Sequence, residues 1–269
     1  MSKESAEQAL REGRPDVALQ ALQEAVRQKP ADAKLRVFLF QLLCIQGQWQ
    51  RALNQLNVCA EMDGAAMMMR EMYHDAVGCE ALRAEVFHGR RAPVLFGEPE
   101  PWLALLIESL LRAGAGEEAV ASRLRLDAFD QAPTSAGSID GTRFEWIADA
   151  DARLGPVLEA MINGRYYWVP FSRLLRVTIE EPSDLRDFVW IPANLQFSNG
   201  GETLALLPAR YPGSECNSDG LIALGRKTDW VALAGEAYAG LGQRVLATDG
   251  EEYPLLQCRE ILLDGSPTE

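Results

Sequence analysis

Gly13 and Gly47, Ala18 and Ala52, Leu19 and Leu53, and Leu22 and Leu56 each stand 34 residues apart, the period of tetratricopeptide helix hairpins. Each pair has a physical role in such a repeat. Gly13 and Gly47 end one helix and let the chain reverse, and Pro15 suits the first turn of the next helix. Ala18 and Ala52 are small where two antiparallel helices approach, and Leu22 and Leu56 fill the space one turn on. Pro30 and Gly64, again 34 apart, stop the second helix. A third copy is blurred across Ala65 to Gly89. A fourth runs from Leu111-Arg112-Ala113-Gly114 through Glu118-Ala119 to Pro133. Gly13 and Gly114 are 101 residues apart, one short of three periods, which implies an irregular connector. Arg91 to Pro101 fits that role, because Pro93, Pro99 and Pro101 cannot continue a helix.

Beyond about residue 133 the pattern changes. Gly, Pro and turn pairs become frequent, and short strand-like runs follow at Tyr166 to Phe171, Leu174 to Ile179, Phe188 to Ile191, Thr203 to Leu207 and Arg244 to Ala247. The Pro/Thr/Ser/Gly stretch Ala132 to Ser138 marks the boundary. At about 100 to 150 residues per domain, a chain of 269 residues holds two. The expectation is a multidomain α and α+β protein: a tetratricopeptide-like α-helical hairpin array over residues 1–132, then a strand-rich (β or α+β) C-terminal domain over residues 133–269.

Charge narrows the partners. The chain carries 26 Lys+Arg against 39 Asp+Glu, a formal net of −13, which repels nucleic acid and anionic membrane faces. Residues 1–132 hold 15 basic and 19 acidic side chains and residues 133–269 hold 11 and 20, so most of the acidity belongs to the second domain. Met1 to Arg14 is charged throughout and lacks the apolar stretch of a secretory signal. No run of about 18 apolar residues is present to span a bilayer. Five widely spaced cysteines in mostly apolar surroundings read as buried small hydrophobes of a reducing compartment. The expected location is the cytoplasm.

Catalytic patterns are sparse. The two histidines, His74 and His88, have no metal-ligand spacing around them, and there is no Cys-x-x-Cys or His-x-x-x-His. No Gly-x-Ser-x-Gly elbow or Walker-type loop occurs. Gly240-Leu241-Gly242 lacks the third glycine of a dinucleotide loop and reads as a turn before a strand. The densest polar cluster is Asp140 to Arg153. On a helix, Glu145 and Asp149 share a face and Arg153 lies one turn further, so an Asp149 to Arg153 pair is expected. Asn163-Gly164 reads as a tight turn leading into the aromatic strand Tyr166-Tyr167-Trp168, which serves either as core or as interface anchor. Arg210-Tyr211-Pro212-Gly213-Ser214-Glu215 reads as a turn with an exposed aromatic. The helix from Leu35 to Leu43, with Phe40 where tetratricopeptide repeats usually put a small residue, is apolar on nearly all sides. It is either central in the array or, the favoured reading, covered by the C-terminal domain.

Several blocks are similar to the ImpE family, also called TagJ or SciE. They are Leu35 to Cys44 with Gly47-Gln48-Trp49 and Arg51-Ala52-Leu53, Gly97-Glu98-Pro99-Glu100-Pro101-Trp102, Phe144-Glu145-Trp146-Ile147-Ala148-Asp149-Ala150-Asp151, Arg153 to Glu159, Asn163 to Phe171 and Ala209 to Glu215. The resemblance implies a non-enzymatic accessory protein of bacterial type VI secretion. It further implies an adaptor that binds the N-terminal helical segment of the small sheath subunit TssB and is linked to the ClpV unfoldase that disassembles contracted sheath. No catalytic residues, cofactor or metal come with it. The residues themselves offer Trp146, Asp149, Arg153, Tyr166 and Trp168 as partner contacts, with Arg36 and Phe40 as the array-side alternative. Apolar anchors one turn apart with acidic residues around them suit a helix with a basic flank. A metal-dependent hydrolase or transferase using Glu145, Asp149 and Asp151 is the rival from another class, and a generic tetratricopeptide scaffold for an unrelated complex is the third reading.

Overall fold

The computed structural model describes residues 3–64 and 66–265. Ala65, where the third repeat was expected to begin, and the chain ends lie outside the described residues. The helical part comprises α1 (Lys3–Arg11), α2 (Pro15–Gln28), α3 (Ala33–Ile45), α4 (Trp49–Met62) and α5 (Ala66–Phe87), a short strand β1 (Val94–Leu95), then α6 (Pro101–Gly114) and α7 (Glu118–Gln131). The repeat grammar is visible in the backbone. Gly13 and Gly47 have φ of 72° and 61°, left-handed values that end α1 and α3 and favour glycine. Pro15 opens α2. Asp32 caps α3, its carboxylate accepting from the amides of Lys34 and Leu35 at 3.0 and 3.2 Å, which satisfies two otherwise orphaned donors. Ala18, Leu22, Ala52 and Leu56 are all fully buried between helices.

The third copy departs from the expectation, because α5 is one continuous helix of 22 residues rather than a hairpin. Its sequence contains no proline, and Gly78 alone is too weak a breaker to stop it. The irregular connector follows. Within it β1 runs parallel to a strand of the C-terminal part, and Arg173 fastens the loop by donating to the Phe96 carbonyl at 2.7 Å and to Glu100 Oε1 at 2.8 Å.

Strands then dominate: β2 (Gly137–Ile139), β3 (Thr142–Phe144), β4 (Ile147–Asp149), β5 (Val157–Ile162), β6 (Arg165–Pro170), β7 (Leu174–Ile179), β8 (Trp190–Phe197) and β9 (Glu202–Pro208). After a short helix α8 (Gly220–Ala223) come β10 (Thr228–Leu233), β11 (Ala237–Gly242), β12 (Val245–Thr248), β13 (Glu252–Pro254) and β14 (Glu260–Leu263). Nine strands form one sheet in the order β1-β6-β5-β9-β8-β7-β14-β2-β3, antiparallel except for β1 against β6. A three-stranded sheet, β13-β12-β4, and the β10-β11 hairpin complete the set. The β5-β6 connection is the turn expected at Asn163-Gly164. Both residues have positive φ, 49° and 73°, the geometry whose twist matches that of the flanking strands.

Alternation along the strands builds two cores. Val157, Met161, Tyr166, Trp168, Trp190 and Leu206 point from one face of the large sheet into a core shared with α1 to α6. Leu158, Ala160, Ile162, Val169, Ile191 and Leu195 point from the other face into a second core, closed by residues of the small sheet such as Ile147 and Leu246. β5 is therefore buried on both faces, which is why it is apolar at every position but Glu159 rather than alternating. Phe40 of α3 lies edge-on to Tyr73 of α5 with ring centroids 6.1 Å apart. Arg210 of the strand-rich part donates to the Ile45 carbonyl at the same helix's end, at 2.8 Å. Helical neighbours and the C-terminal part together enclose α3.

Two turn expectations are corrected. Gly240-Leu241-Gly242 belongs to β11 rather than to a turn before a strand, and Gly240 leaves space that the Tyr211 ring occupies. Tyr211 is not an exposed turn aromatic. It is fully buried, because its hydroxyl has a partner inside the protein, Asp149 Oδ1 at 2.9 Å.

Candidate partner-binding surface

Most of the expected contact residues turn inward. The Asp140 to Arg153 cluster is not a helix: it forms β3, the exposed turn at Glu145-Trp146, β4 and a following loop. Glu145 and Asp149 therefore share no helix face, and the expected Asp149 to Arg153 pair does not form. Arg153 instead pairs with Asp151, Nε to Oδ1 at 2.9 Å, and stacks over Phe87 with its guanidinium 4.8 Å from the ring centre. Asp149 pairs with Arg244. Tyr166 and Trp168 are buried in the sheet's helix-facing side, Trp168 donating to the Tyr166 hydroxyl at 2.8 Å and Tyr166 to Glu159. Phe40 is enclosed, and Arg36 is half-buried and bonded locally to the Pro30 carbonyl at 2.7 Å and to Gln55 at 3.1 Å. Asp149, Tyr166, Trp168 and Phe40 thus have no surface to offer a partner. Trp146, 38% exposed, is the one that faces solvent.

What these residues build is a buried ionic network between the helical layer and the sheet. Arg83 of α5 donates to both carboxylate oxygens of Glu159 on β5, at 2.7 and 3.1 Å, and to the Arg210 carbonyl at 2.7 Å. Arg244 joins Glu159 to Asp149. Glu80, one turn before Arg83, receives the Trp190 indole at 2.7 Å. Asp151 accepts from the Gly240 amide at 2.9 Å. Burial alone would raise the Glu159 carboxyl, but the Arg83 and Arg244 guanidiniums outweigh it and hold its pKa down at about 2. For Asp149 burial prevails, with Asp151 adding to it, and the pKa rises to about 6 despite Arg244. Asp149 and Asp151 are committed to arginines and backbone amides. Among the described residues no three His, Cys, Asp or Glu side chains are placed to hold a metal ion.

A group of exposed apolar side chains lies elsewhere, along α5. Met67, Met68 and Met72 are exposed there, Met68 at 77%, and Met62 at the end of α4 is exposed as well. Between α5 and the sheet runs a groove of about 360 Å³, walled by Glu71, Met72, Asp75 and Ala76 and floored by Met161, Pro192, Leu204 and Leu206. Leu204 is 72% exposed. Its strand β9 has Leu206 under the helices and Leu204 two residues back, on the same face but past the helical cover. From there outward the helix-facing side of the sheet is open. Asn194 lies opposite Leu204, Thr178 opposite Asn194, and Glu260 opposite Thr178, and Asn194 and Thr178 are exposed.

Sequence reasoning missed both features, although each left a trace. Glu159 is the one charge in the apolar run Val157 to Ile162, and an ionised side chain in such a run requires a buried partner. Five of the seven methionines fall within residues 62–72, and flexible, polarisable methionine is common on adaptable binding surfaces.

The relatives bear on what the surface serves. Residues 141–262 match the ImpE protein family, and residues 9–65 match a tetratricopeptide repeat. The chain is 50% identical over 264 residues to the type VI secretion system accessory component TagJ of Pseudomonas aeruginosa, covering 98% of this chain and 92% of that protein. Its fold is similar to the crystal structure of protein VPA1032 from Vibrio parahaemolyticus, with a TM-score of 0.88, 26% identity, and coverage of 97% and 98% of the two chains. A helical repeat layer on a large sheet, the same fold in a solved structure, and identity of one residue in two along nearly the whole length make this chain a member of the ImpE/TagJ family.

Proposed function

We propose that the chain is a non-catalytic adaptor of the bacterial type VI secretion apparatus. It acts in the cytoplasm, binds the N-terminal helical segment of the small sheath subunit TssB, and assists or tunes sheath disassembly by the ClpV unfoldase. The observation that carries this reading is the 50% identity, over 98% of the chain, to a type VI accessory component. At that level both the fold and the surface that serves it are expected to be shared. The exposed methionine band on α5 supports it physically, because contiguous apolar surface rimmed by polar residues marks an interaction site. No helix among the described residues is long and apolar enough to cross a membrane.

The test is calorimetric titration of the purified protein with a synthetic peptide of the sheath subunit's N-terminal helix. Saturable binding in the micromolar range is the expected result, and no saturable binding at high micromolar peptide would sink the proposal. Addition of the protein to contracted sheath with the unfoldase and ATP then reports the second half of the reading as a changed disassembly rate.

A further inference from the structure

We infer that strand β10 is a dimerisation edge: two copies of this chain join their β10-β11 hairpins antiparallel, about a two-fold axis at Val231, into one four-stranded sheet. This goes beyond the adaptor reading and concerns a part of the chain which that reading leaves unused.

A strand at the end of a sheet carries a row of unpaired backbone donors and acceptors, and folded proteins keep such edges short, interrupted or covered. The other sheet edges here obey that rule. β1 has two residues, β3 and β4 have three each, and β13 has three with Pro254 at its end. β11 has six, but its outer edge is taken. The Ala152 amide donates to the Tyr238 carbonyl at 2.9 Å, and the Gly240 amide donates to Asp151 Oδ2 at 2.9 Å. β10 also has six residues, with no proline and no lysine. Among the described residues it pairs with β11 alone.

The same contacts show which groups are free. The N–H and C=O of one strand residue point to the same side, and the side alternates along the strand. Tyr238 and Gly240 turn theirs away from β10, so Ala232 and Trp230, which lie opposite them, turn theirs away from β11 and outward. The edge is also held extended before any partner arrives. The Trp230 ring packs against Tyr211 with centroids 5.9 Å apart, and Arg125 of α7 donates to the Ala234 carbonyl at the hairpin tip at 2.5 Å. The outward Trp230 amide donates to the exposed Asp229 carboxylate at 2.9 Å, a bond that an added strand replaces.

Charge and shape make a second copy the occupant. Residues 228–242 hold two charged side chains, Asp229 and Glu236, in a chain that is 24% charged, so two molecules of net charge −13 meet here with little local repulsion. With the axis at Val231, Trp230 of one copy faces the small Ala232 of the other and Asp229 faces Leu233, so no like charges stand opposite each other. Trp230 and Ala232 then exchange N–H to C=O bonds in both directions. Because the outer edge of β11 is occupied, the assembly closes at two copies. A dimer of this kind presents the exposed side chains of α5 twice, which raises its avidity for any assembly that repeats its subunit.

Sedimentation velocity of the full chain, from low to high micromolar concentration, tests the pairing. The variants are Val231→Lys, Asp229→Ala and, in a Cys216→Ser background, Val231→Cys and Tyr238→Cys. Val231 and Tyr238 are 48% and 53% exposed, and thermal melts check that each variant is folded. The wild type should shift reversibly to twice the monomer mass as concentration rises. Val231→Lys sets two like charges at the axis and should stay monomeric, whereas Asp229→Ala frees the Trp230 amide and should dimerise at lower concentration. Val231→Cys should cross-link into a dimer on mild oxidation, because facing residues of antiparallel strands lie within disulfide reach, and Tyr238→Cys should not. A wild type that is monomeric throughout overturns the proposal, as does a dimer that Val231→Lys leaves intact, one that Val231→Cys fails to cross-link, or growth beyond two copies. A monomeric wild type whose binding of the sheath-subunit peptide is lost in Val231→Lys gives the edge to a strand of that partner and overturns it too.

Discussion

The guanidinium of Arg83 on α5 forks onto both oxygens of Glu159 on β5, 76 residues further along the chain, with neither side chain more than a few per cent exposed. This contact fixes the long helix to β5, the third of the sheet's nine strands.

Removing one side of that pair should be costly. Arg83→Met leaves Glu159 with Arg244 and Tyr166 but without the two Arg83 donors, and breaking a buried pair in this way typically costs about 3 to 5 kcal/mol. Urea denaturation followed by circular dichroism should show a loss of that order. A loss under about 1 kcal/mol would mean that Arg244 alone suffices.

The same network sets a pH dependence. The folded pKa of Glu159, about 2, lies below its ordinary value of 4.5, so the folded state releases the proton more readily than the unfolded one. Its contribution is complete above pH 4.5, is lost as pH falls toward 2, and amounts to about 3 kcal/mol. Asp149 is shifted the other way, from 3.8 to about 6, so it favours folding at low pH and loses that effect as pH rises through 6. The difference in stability between wild type and Glu159→Gln should shrink steadily from pH 5 to pH 2.5. A constant difference would show that Glu159 is not held ionised by its arginines.

Gly164 combines a φ of 73° with close approach of the Asp75 carboxylate from α5. Gly164→Ala forces a left-handed alanine and pushes that carboxylate aside, at an expected cost of about 1 to 2 kcal/mol. Thermal melts measure it. Gly200→Ala is the informative control, because its φ is also positive but a Cβ there meets nothing within 4 Å, so it should cost less.

The helical segment should not stand alone. Leu39, Phe40, Tyr73 and Val86 belong to the same core as Trp168 and Trp190 of the sheet, and Arg83 and Glu80 take their partners from it. Residues 1–132 expressed in isolation should lack a cooperative melt and bind a hydrophobic dye, whereas the whole chain melts in one transition. A cooperative melt of the fragment would mean that the array folds independently.

Local grammar carried much of this protein. The glycine, alanine and leucine spacings are enough to place α2 to α4, and Asn163-Gly164 is enough to place the β5-β6 hairpin, because helix ends and two-residue turns depend on backbone preferences of the residues present. The strand run Leu174–Ile179 is read to its exact bounds by the same logic of alternation. The partner-binding residues were not legible in this way. Trp168, Tyr166 and Asp149 carry chemistry suited to an interface, and only the packing of α5 on the sheet decides that they are enclosed. The Asp140 to Arg153 cluster reads as a helix by its i,i+4 charges, but the pairing of β4 with β12, contributed about a hundred residues later, outweighs that local signal.

The open side of the large sheet is the plainest case of what tertiary structure alone supplies. Leu204 and Leu206 are identical in type and two residues apart on one strand, so sequence cannot tell them apart. Leu206 is buried and Leu204 is exposed because the helical layer ends between them. Sequence determined that this chain would stack helix hairpins and build a strand-rich partner for them. How far the helices reach across the sheet, and so which leucine stays in water, depends on long-range contacts such as Arg83 to Glu159 that no local pattern encodes.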